Sequence, residues 1–275
     1  MTRQKKKKDY FVKKFSVSRQ ILADYNDVAA TFPRVRGHLE YDITNAKKRI
    51  EEIKKVDKYD ISYTAWIAKC ISRAVKEDLR FNSYRKGRKI IVFEKIDISI
   101  IVEITTKEGK KVPFNYVIRD VESKSVKEIT EEIRAVQKRK IEETEQLTRD
   151  NSSKFSSLYL LIPRFIRKMV IKSILKNPFK LKKLIGTVGI TSLGMFVQNF
   201  AGWAIPFADK TLNVAVGGMK KTVGLENGEL KEKTLLCITF LVDHNLIDGA
   251  PIARFVARVG DLMKEATFLE DISKP

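Results

Sequence analysis

The stretch TLLCITFLVDHNLIDGAPIARFVARVGDLM, residues 234–263, decides the fold. Its first part is an apolar run rich in β-branched side chains, which predicts a buried strand. Its second part repeats apolar residues at spacings of three and four, which predicts a helix from about Gly249 to Phe268. Asp243 and His244 follow the strand where it leaves the sheet. Loops at strand ends are where a rigid scaffold presents reactive groups, so His244 is the first candidate for chemistry.

A histidine at this position suits a general base, because its side chain is largely neutral at pH 7 and can accept a proton. The chain has one other histidine, His38, which lies in an alternating strand pattern and which we interpret as structural. Asp248 precedes the last helix and is an expected N-cap, whose carboxylate can meet backbone N–H groups or an arginine. The His-x-x-x-Asp spacing alone also fits a polar residue at a strand end.

The rest of the chain mixes strands and helices without strict alternation, which favours an α+β fold with a large mixed sheet flanked by helices. Asn227-Gly228 between two charged arms predicts a tight hairpin that joins two long strands. Strand patterns, one of them with a turn, cover residues 31–44, 89–94, 97–105, 110–118 and 186–196. Helical patterns cover residues 62–75, 125–147 and 163–177.

Composition predicts a compact soluble protein, because 43% of its 275 residues are hydrophobic. We interpret Cys70 and Cys237 as buried thiols in a reducing cytoplasm. The longest uncharged apolar segment, residues 200–208, is far shorter than the roughly 20 residues that a membrane-spanning helix needs. The N-terminus lacks the apolar core of a secretory signal. We therefore expect a cytoplasmic location.

The formal net charge of +20 is concentrated in an N-terminal tail, residues 1–16, and in residues 151–208, which contain no Asp or Glu. The chain shows no zinc-ligand spacing, no aromatic RNA-binding signature and no basic-region heptads, so we do not expect nucleic-acid binding. Residues 163–177 form a basic amphipathic pattern. We expect these residues to form a helix that packs on the domain and exposes its lysines. The alternative is a surface for anionic lipid, an acidic carrier protein or a phosphorylated ligand.

Four segments together resemble a known family. They are YTAWIAKCISRAVKE at 63–77, the strand, loop and helix at 97–133 with its VPxxxxxRD pattern, GITSLGMF at 189–196 and the motif His244-x-x-x-Asp248-Gly249. In order, they resemble the catalytic (acyltransferase) domain of 2-oxo acid dehydrogenase complexes, in the chloramphenicol acetyltransferase-like superfamily. The resemblance covers roughly Val17 to Glu270. It implies a CoA-dependent acyltransferase fold.

The resemblance also implies a mechanism. His244 would deprotonate an acceptor, which attacks a thioester, and a hydroxyl would stabilise the resulting oxyanion. Thr191 matches the position of the family's serine, and Ser192 is the adjacent alternative. Both residues also fit a turn with no catalytic role. Asp248 would hold the loop through an arginine, for which Arg19 is a candidate. The family usually forms a homotrimer whose active sites lie between subunits, one supplying the histidine and its neighbour the hydroxyl.

We expect residues 17–275 to form this catalytic domain, with a basic insertion at about 151–185. The sequence has no Asp-Lys-Ala target for lipoylation, so we expect a stand-alone form without a covalent lipoyl group. Coenzyme A or acyl-CoA is the expected co-substrate, with no metal. Lys180, Lys182 and Lys183 are basic candidates for its phosphates.

Two alternatives stay open. One is a catalytically degenerate module that binds an acyl group or CoA, or serves assembly. The other is a protein associated with a membrane surface or a nucleic acid through its basic segments. Four apolar residues from the end of the GITSLGMF segment onward fit either core packing or an acyl pocket, and we favour the core; they are Phe196, Trp203, Ile205 and Phe207.

Overall fold

The computed structural model describes residues 12, 15, 17–30, 33–106, 109, 111–141, 161–193, 201–226 and 228–270. The helices are α1 (Val17–Ala29), α2 (Thr44–Val56), α3 (Tyr63–Glu77), α4 (Val126–Gln137), α5 (Arg164–Leu175), α6 (Pro178–Ile185) and α7 (Gly249–Lys264), with 3₁₀ turns at Leu79–Asn82 and Val121–Ser123. The strands are β1 (Arg34–Asp42), β2 (Ser83–Lys86), β3 (Lys89–Val92), β4 (Ile98–Thr106), β5 (Lys111–Ile118), β6 (Lys140–Ile141), β7 (Val188–Ser192), β8 (Leu212–Glu226) and β9 (Glu229–Asp243).

One large mixed sheet organises the chain, as the sequence predicted. Its order is β1-β9-β8-β7-β4-β5, with the short β6 beside the far end of β4. The pairs β1/β9, β8/β9 and β4/β5 are antiparallel, while β7 runs parallel to both β8 and β4. Strands β2 and β3 form a separate antiparallel hairpin. This arrangement brings the start of β1, the start of β8 and the end of β9 together at one end of the sheet.

The long hairpin of β8 and β9 forms as predicted, with each strand 15 residues long and Glu226 opposite Glu229 at its tip. A bulge lies between Val216 and Met219. Gly217 in this bulge has no side chain, which leaves room for the carbonyl oxygen of Gly202. The backbone N–H of Gly218 donates to that oxygen at 2.9 Å. The segment before β8 is thereby fixed against the sheet.

The core lies on the face of the sheet that helices α3 and α7 cover. Trp66 on α3 is fully buried, and its Nε1 donates to the carbonyl oxygen of Thr267 at 2.9 Å. Phe255 on α7 stacks on Phe81 with ring centroids 4.1 Å apart. Burying one such aromatic side chain stabilises the fold by roughly 1.5–3 kcal/mol. These contacts fix α7, and with it the loop between β9 and α7.

Helix α5 forms where the sequence predicted and exposes Lys172 and Lys176 as expected, but part of its basic side faces the protein. Arg164 and Lys168 contact Asp27 on α1 at 2.7 Å each. Arg167 contacts the fully buried Asp24 of α1 at 3.2 Å. The hydrogen bond from Lys168 lowers the pKa of Asp27. Arg167 and Lys168 therefore face the protein, while Lys172 and Lys176 are exposed together with the large apolar side chains of Phe165, Met169 and Val170.

Helix α4 is shorter than the predicted 125–147, because its apolar spacing stops at Val136. The next apolar residue, Ile141, comes five positions later, which is out of step with a helix. Residues 140–141 instead pair with the end of β4. The rest of that predicted helix, residues 142–147, lies outside the described residues.

Cys70 and Cys237 are buried free thiols, as predicted, and burial raises the pKa of each. In the part of the chain that the structure describes, none of the helices has the length and apolar character needed to cross a membrane.

Candidate active site

The loop between β9 and α7 presents His244 at the surface. Strand β9 ends at Asp243, whose backbone N–H donates to the carbonyl oxygen of Thr211 at 2.9 Å. The N–H of His244 donates to the carbonyl oxygen of Pro33 at 3.3 Å, which links the loop to the start of β1. Ile247 is buried and anchors the far side of the loop. His244 itself is exposed, so its ring is accessible to a ligand.

The ring of His244 is held in one tautomer. Its Nδ1 lies 3.0 Å from the carbonyl oxygen of Ile247. A carbonyl oxygen only accepts, so the neutral ring carries its proton on Nδ1 and donates it to that oxygen. The lone pair of Nε2 then points away from the loop. This arrangement suits a group that accepts a proton from a ligand.

Asp243 supports the loop from inside. Its Oδ1 accepts hydrogen bonds from the backbone N–H and the side-chain Nδ2 of Asn245, at 3.0 and 3.1 Å. Its Oδ2 lies 3.4 Å from Nη1 of Arg34, and both side chains are largely buried. Burial lowers the pKa of Arg34, an effect that the charge of Asp243 opposes. The ion pair joins the end of β9 to the start of β1.

Asp248 occupies the N-cap position of α7, as predicted, but its side chain makes no cap hydrogen bond. Its charge contributes to raising the pKa of Arg80, after the larger effect of Asp78. The ion pair found beside the histidine is that of Asp243 with Arg34. The arginine partner of Asp248, with Arg19 as the candidate, stays a prediction.

The two hydroxyl candidates lie at the end of β7. Val188 and Ile190 belong to the core, so the alternation of a strand puts Ser192 on the core face and Thr191 on the opposite face. Ser192 is 6% exposed, and Thr191 is half-buried. Thr191 is therefore the hydroxyl that a ligand can reach with less rearrangement.

Within one chain, the structure does not bring His244 and Thr191 together. Thr191 pairs with Ala215 on β8, and Ala215 pairs with Thr239 on β9. Thr239 lies five residues before His244. The offset is about 16 Å along the strands and about 10 Å across two strand spacings. One small ligand atom cannot contact both side chains of the same chain.

A buried polar cluster, which the sequence did not indicate, lies beneath the histidine loop. Asp209 accepts a hydrogen bond from the Tyr25 hydroxyl at 2.7 Å and one from Lys210 at 2.7 Å. Burial favours a higher pKa for Asp209, but Lys210, Tyr25 and Arg34 outweigh it and lower that pKa. Burial and the charge of Asp209 raise the pKa of Tyr25. The contact between Tyr25 and Asp209 joins residues 184 positions apart, so no sequence spacing could reveal it.

A cavity of about 50 Å³ lies beside this cluster, and its lining includes the charged residues Arg34, Asp209 and Asp243 and the apolar residues Leu181 and Leu246. Pockets for small ligands usually measure roughly 300–1,000 Å³. The cavity has room for water, and not for a thioester.

The three lysines predicted to meet CoA phosphates lie on α6 and differ in their surroundings. Lys182 donates to the carbonyl oxygen of Lys95 at 2.7 Å and lies 3.4 Å from the buried carboxylate of Asp97. Lys180 and Lys183 are exposed. Lys182 therefore has a structural role, and the other two are accessible to an anion.

Three apolar residues expected in the core are exposed instead. Trp203, Ile205 and Phe207 are 42%, 62% and 47% exposed. The Trp203 indole N–H donates to the carbonyl oxygen of Leu39 at 3.1 Å, which holds its ring over the edge of the sheet. The fourth residue of that prediction, Phe196, lies outside the described residues. Apolar surface of this kind is available to a substrate or to another subunit.

Within the described ranges, no group of three or more His, Cys, Asp or Glu side chains is placed to hold a metal ion.

The sequence matches the family model described as 2-oxoacid dehydrogenases acyltransferase (catalytic domain) over residues 8–154 and 176–270. It is 22% identical over 252 residues to the lipoamide acyltransferase component of the branched-chain alpha-keto acid dehydrogenase complex of Bacillus subtilis, covering 90% of this chain and 50% of that protein. The chain spans about half the length of the curated relatives it matches.

Solved structures share the fold. The cubic core of a pyruvate dehydrogenase multienzyme complex superposes with a TM-score of 0.67 at 19% identity, over 96% of this chain and 94% of that chain. A dihydrolipoamide acetyltransferase of Azotobacter vinelandii, investigated for the catalytic roles of a serine, a histidine and an asparagine, gives a TM-score of 0.67 at 17% identity over the same shares.

Proposed function

Because the chain belongs to the family of 2-oxoacid dehydrogenase acyltransferase catalytic domains, we propose that it transfers an acyl group between a CoA thioester and an acceptor. The acceptor is a thiol, a hydroxyl or an amine. His244 is the general base, and Thr191 of a neighbouring subunit stabilises the oxyanion.

One observation carries this proposal: Nδ1 of His244 lies 3.0 Å from the Ile247 carbonyl oxygen. A general base must be uncharged and must present a lone pair to the acceptor. The carbonyl keeps the proton on Nδ1, which leaves Nε2 as the accepting atom. A polar residue that merely ended a strand would not need this tautomer.

In the proposed reaction, one proton passes from the acceptor to His244 and then to the CoA sulfur. Nε2 of His244 takes the acceptor's proton while the acceptor attacks the thioester carbon, and the carbonyl π electrons move to oxygen. The Thr191 hydroxyl donates to that oxyanion; one such donor accelerates acyl transfer by roughly 10²–10³-fold. When the intermediate collapses, the C–S bond breaks and the CoA sulfur takes the proton back from the imidazolium.

Geometry supports a site between subunits. His244 and Thr191 of one chain are too far apart to share a ligand, and the cavity beneath the histidine loop is too small for a thioester. A cyclic trimer removes both difficulties, because each interface joins the loop that carries His244 in one chain to Thr191 of the next chain. The exposed Trp203, Ile205 and Phe207 then supply apolar surface for the acyl group.

Two further features complete the proposed site. The ion pair of Asp243 with Arg34 fixes the loop from inside, so His244 keeps its position while it gains and loses a proton. Asp248 starts α7 and places a negative charge near the loop. Lys180 and Lys183 are the exposed candidates for the CoA phosphates.

The proposal is tested by measuring acyl transfer and thioester hydrolysis with a panel of acyl-CoA substrates. Replacing the base, in His244→Ala, lowers the rate by roughly 10²–10⁴-fold. His38→Ala is the matched control, because it removes the other histidine, which is exposed and contacts Thr239. Binding of CoA with no His244-dependent rate would favour a ligand-binding module without turnover.

A further inference from the structure

Helices α5 and α6 carry large apolar side chains on their outside. We call this surface the outer face; its members are Phe165 and Met169 on α5, Phe179 and Leu184 on α6, and Leu161 just before α5, which are 71%, 63%, 56%, 53% and 79% exposed. A single exposed apolar residue is common on protein surfaces, but a concentration of large ones marks an interaction surface.

Ion pairs prevent α5 from turning the outer face inward. Arg167 is 8% exposed and contacts Asp24 of α1, which is fully buried. Lys168 contacts Asp27 on the same helix at 2.7 Å. Rotating α5 to bury Phe165 would separate these charges and leave Asp24 buried without them, which is strongly unfavourable. The exposure of the apolar side is therefore built into the fold.

The outer face is also basic. Phe165, Met169, Lys172 and Lys176 follow one another at spacings of four, three and four, so they lie on one side of the helix. Both lysines are exposed, as are Lys180 and Lys183 on α6. Residues 151–208 contain no Asp or Glu that could neutralise them.

The helix is extra to the family pattern. The family match covers residues 8–154 and resumes at 176, so residues 155–175 fall outside it. These residues include nearly all of α5. The family model does not specify the surface of this helix, which can serve a function of its own.

We propose that the outer face docks on an anionic lipid bilayer. The helices lie in the plane of the surface, where the apolar side chains enter the boundary between headgroups and acyl chains and the lysines meet lipid phosphates. A second copy of this chain is a poorer occupant, because a two-fold contact would bring the lysines of both copies together. This function goes beyond acyl transfer and would place that reaction at a membrane surface.

The test is co-sedimentation of the full-length protein with two kinds of vesicle, one of phosphatidylcholine alone and one with phosphatidylglycerol added. The protein binds the anionic vesicles and not the neutral ones. Replacing the apolar pair, in F165S/M169S, weakens this binding by about tenfold or more. Reversing the lysine pair, in K172E/K176E, weakens it by about tenfold or more and reduces its salt dependence.

Matched controls distinguish binding through the outer face from non-specific hydrophobic or electrostatic binding. V56S/I90S removes two other exposed apolar residues, and K48E/K55E reverses two exposed lysines of α2. Both control pairs bind as the parent does. The proposal is overturned if the parent does not bind, if it binds both vesicles equally, or if both outer-face pairs bind as tightly as the parent. A smaller oligomer in F165S/M169S with unchanged vesicle binding would instead identify a contact between subunits.

Discussion

Thr191 is level with Thr239 across the sheet, and Thr239 lies five residues before His244 on β9. Within one chain, His244 and Thr191 are thus separated by about 16 Å along the strands and two strand spacings across the sheet. Because the proposed mechanism places both groups at one carbonyl, it predicts that a second chain completes the site.

The hydroxyl end is tested by comparing Thr191 with Ser192. We expect Thr191→Ala to lower kcat for acyl transfer by roughly 10²–10³-fold, because it removes the donor to the oxyanion. Thr191→Ser keeps the hydroxyl and retains most of the rate. Ser192→Ala, on the core face, changes kcat much less. If Ser192→Ala is the damaging change and Thr191→Ala is not, the roles are reversed.

The ion pair beneath the histidine loop is tested with Arg34→Met. This change leaves the carboxylate of Asp243 largely buried without its partner, so we expect the free energy of unfolding to fall by about 3 kcal/mol. Denaturant titration measures the loss. The matched control is Arg36→Met on the same strand, where the side chain is exposed and the expected loss is small. Equal losses of unfolding free energy in the two variants would show that the ion pair of Arg34 with Asp243 does not stabilise the fold.

The buried cluster predicts a specific acid sensitivity. The folded state lowers the pKa of Asp209, so this carboxylate stabilises the fold above its unfolded pKa, and the contribution is lost as the pH falls through the lower, folded value. We expect Asp209→Asn to destabilise the protein at pH 7, where Lys210 loses its partner. The difference in thermal stability from the parent should shrink below about pH 4.

Glu51→Gln, at an exposed acid on α2, is the control for that experiment and should follow the parent at every pH. A difference between Asp209→Asn and the parent that stays constant from pH 7 to the acid range would contradict the predicted linkage.

Several features of the fold could be predicted from local patterns. The buried strand, the loop with His244 and the helix after it follow from one apolar run and one helical spacing in residues 234–263. Asn227-Gly228 indicated the long hairpin. These predictions succeeded because the deciding interactions are close in sequence.

Other features depend on contacts between distant parts of the chain. The pattern of α5 distinguished an apolar side from a basic side, but Arg167 and Lys168 face inward because they pair with Asp24 and Asp27 on α1. The cluster of Tyr25 with Asp209 has the same origin. The carbonyl of Ile247 is close to His244 in sequence, yet no side-chain pattern encodes a backbone acceptor.

The central claim, that one chain supplies His244 and its neighbour supplies Thr191, is tested most directly by mixing two inactive variants. His244→Ala and Thr191→Ala chains are co-expressed with different tags, and oligomers that contain both are purified and assayed for acyl transfer from an acyl-CoA. In a cyclic trimer that contains both variants, one of the three interfaces joins an intact histidine to an intact hydroxyl, so we expect about a third of the parent rate. Mixed oligomers as inactive as either variant alone would contradict the account.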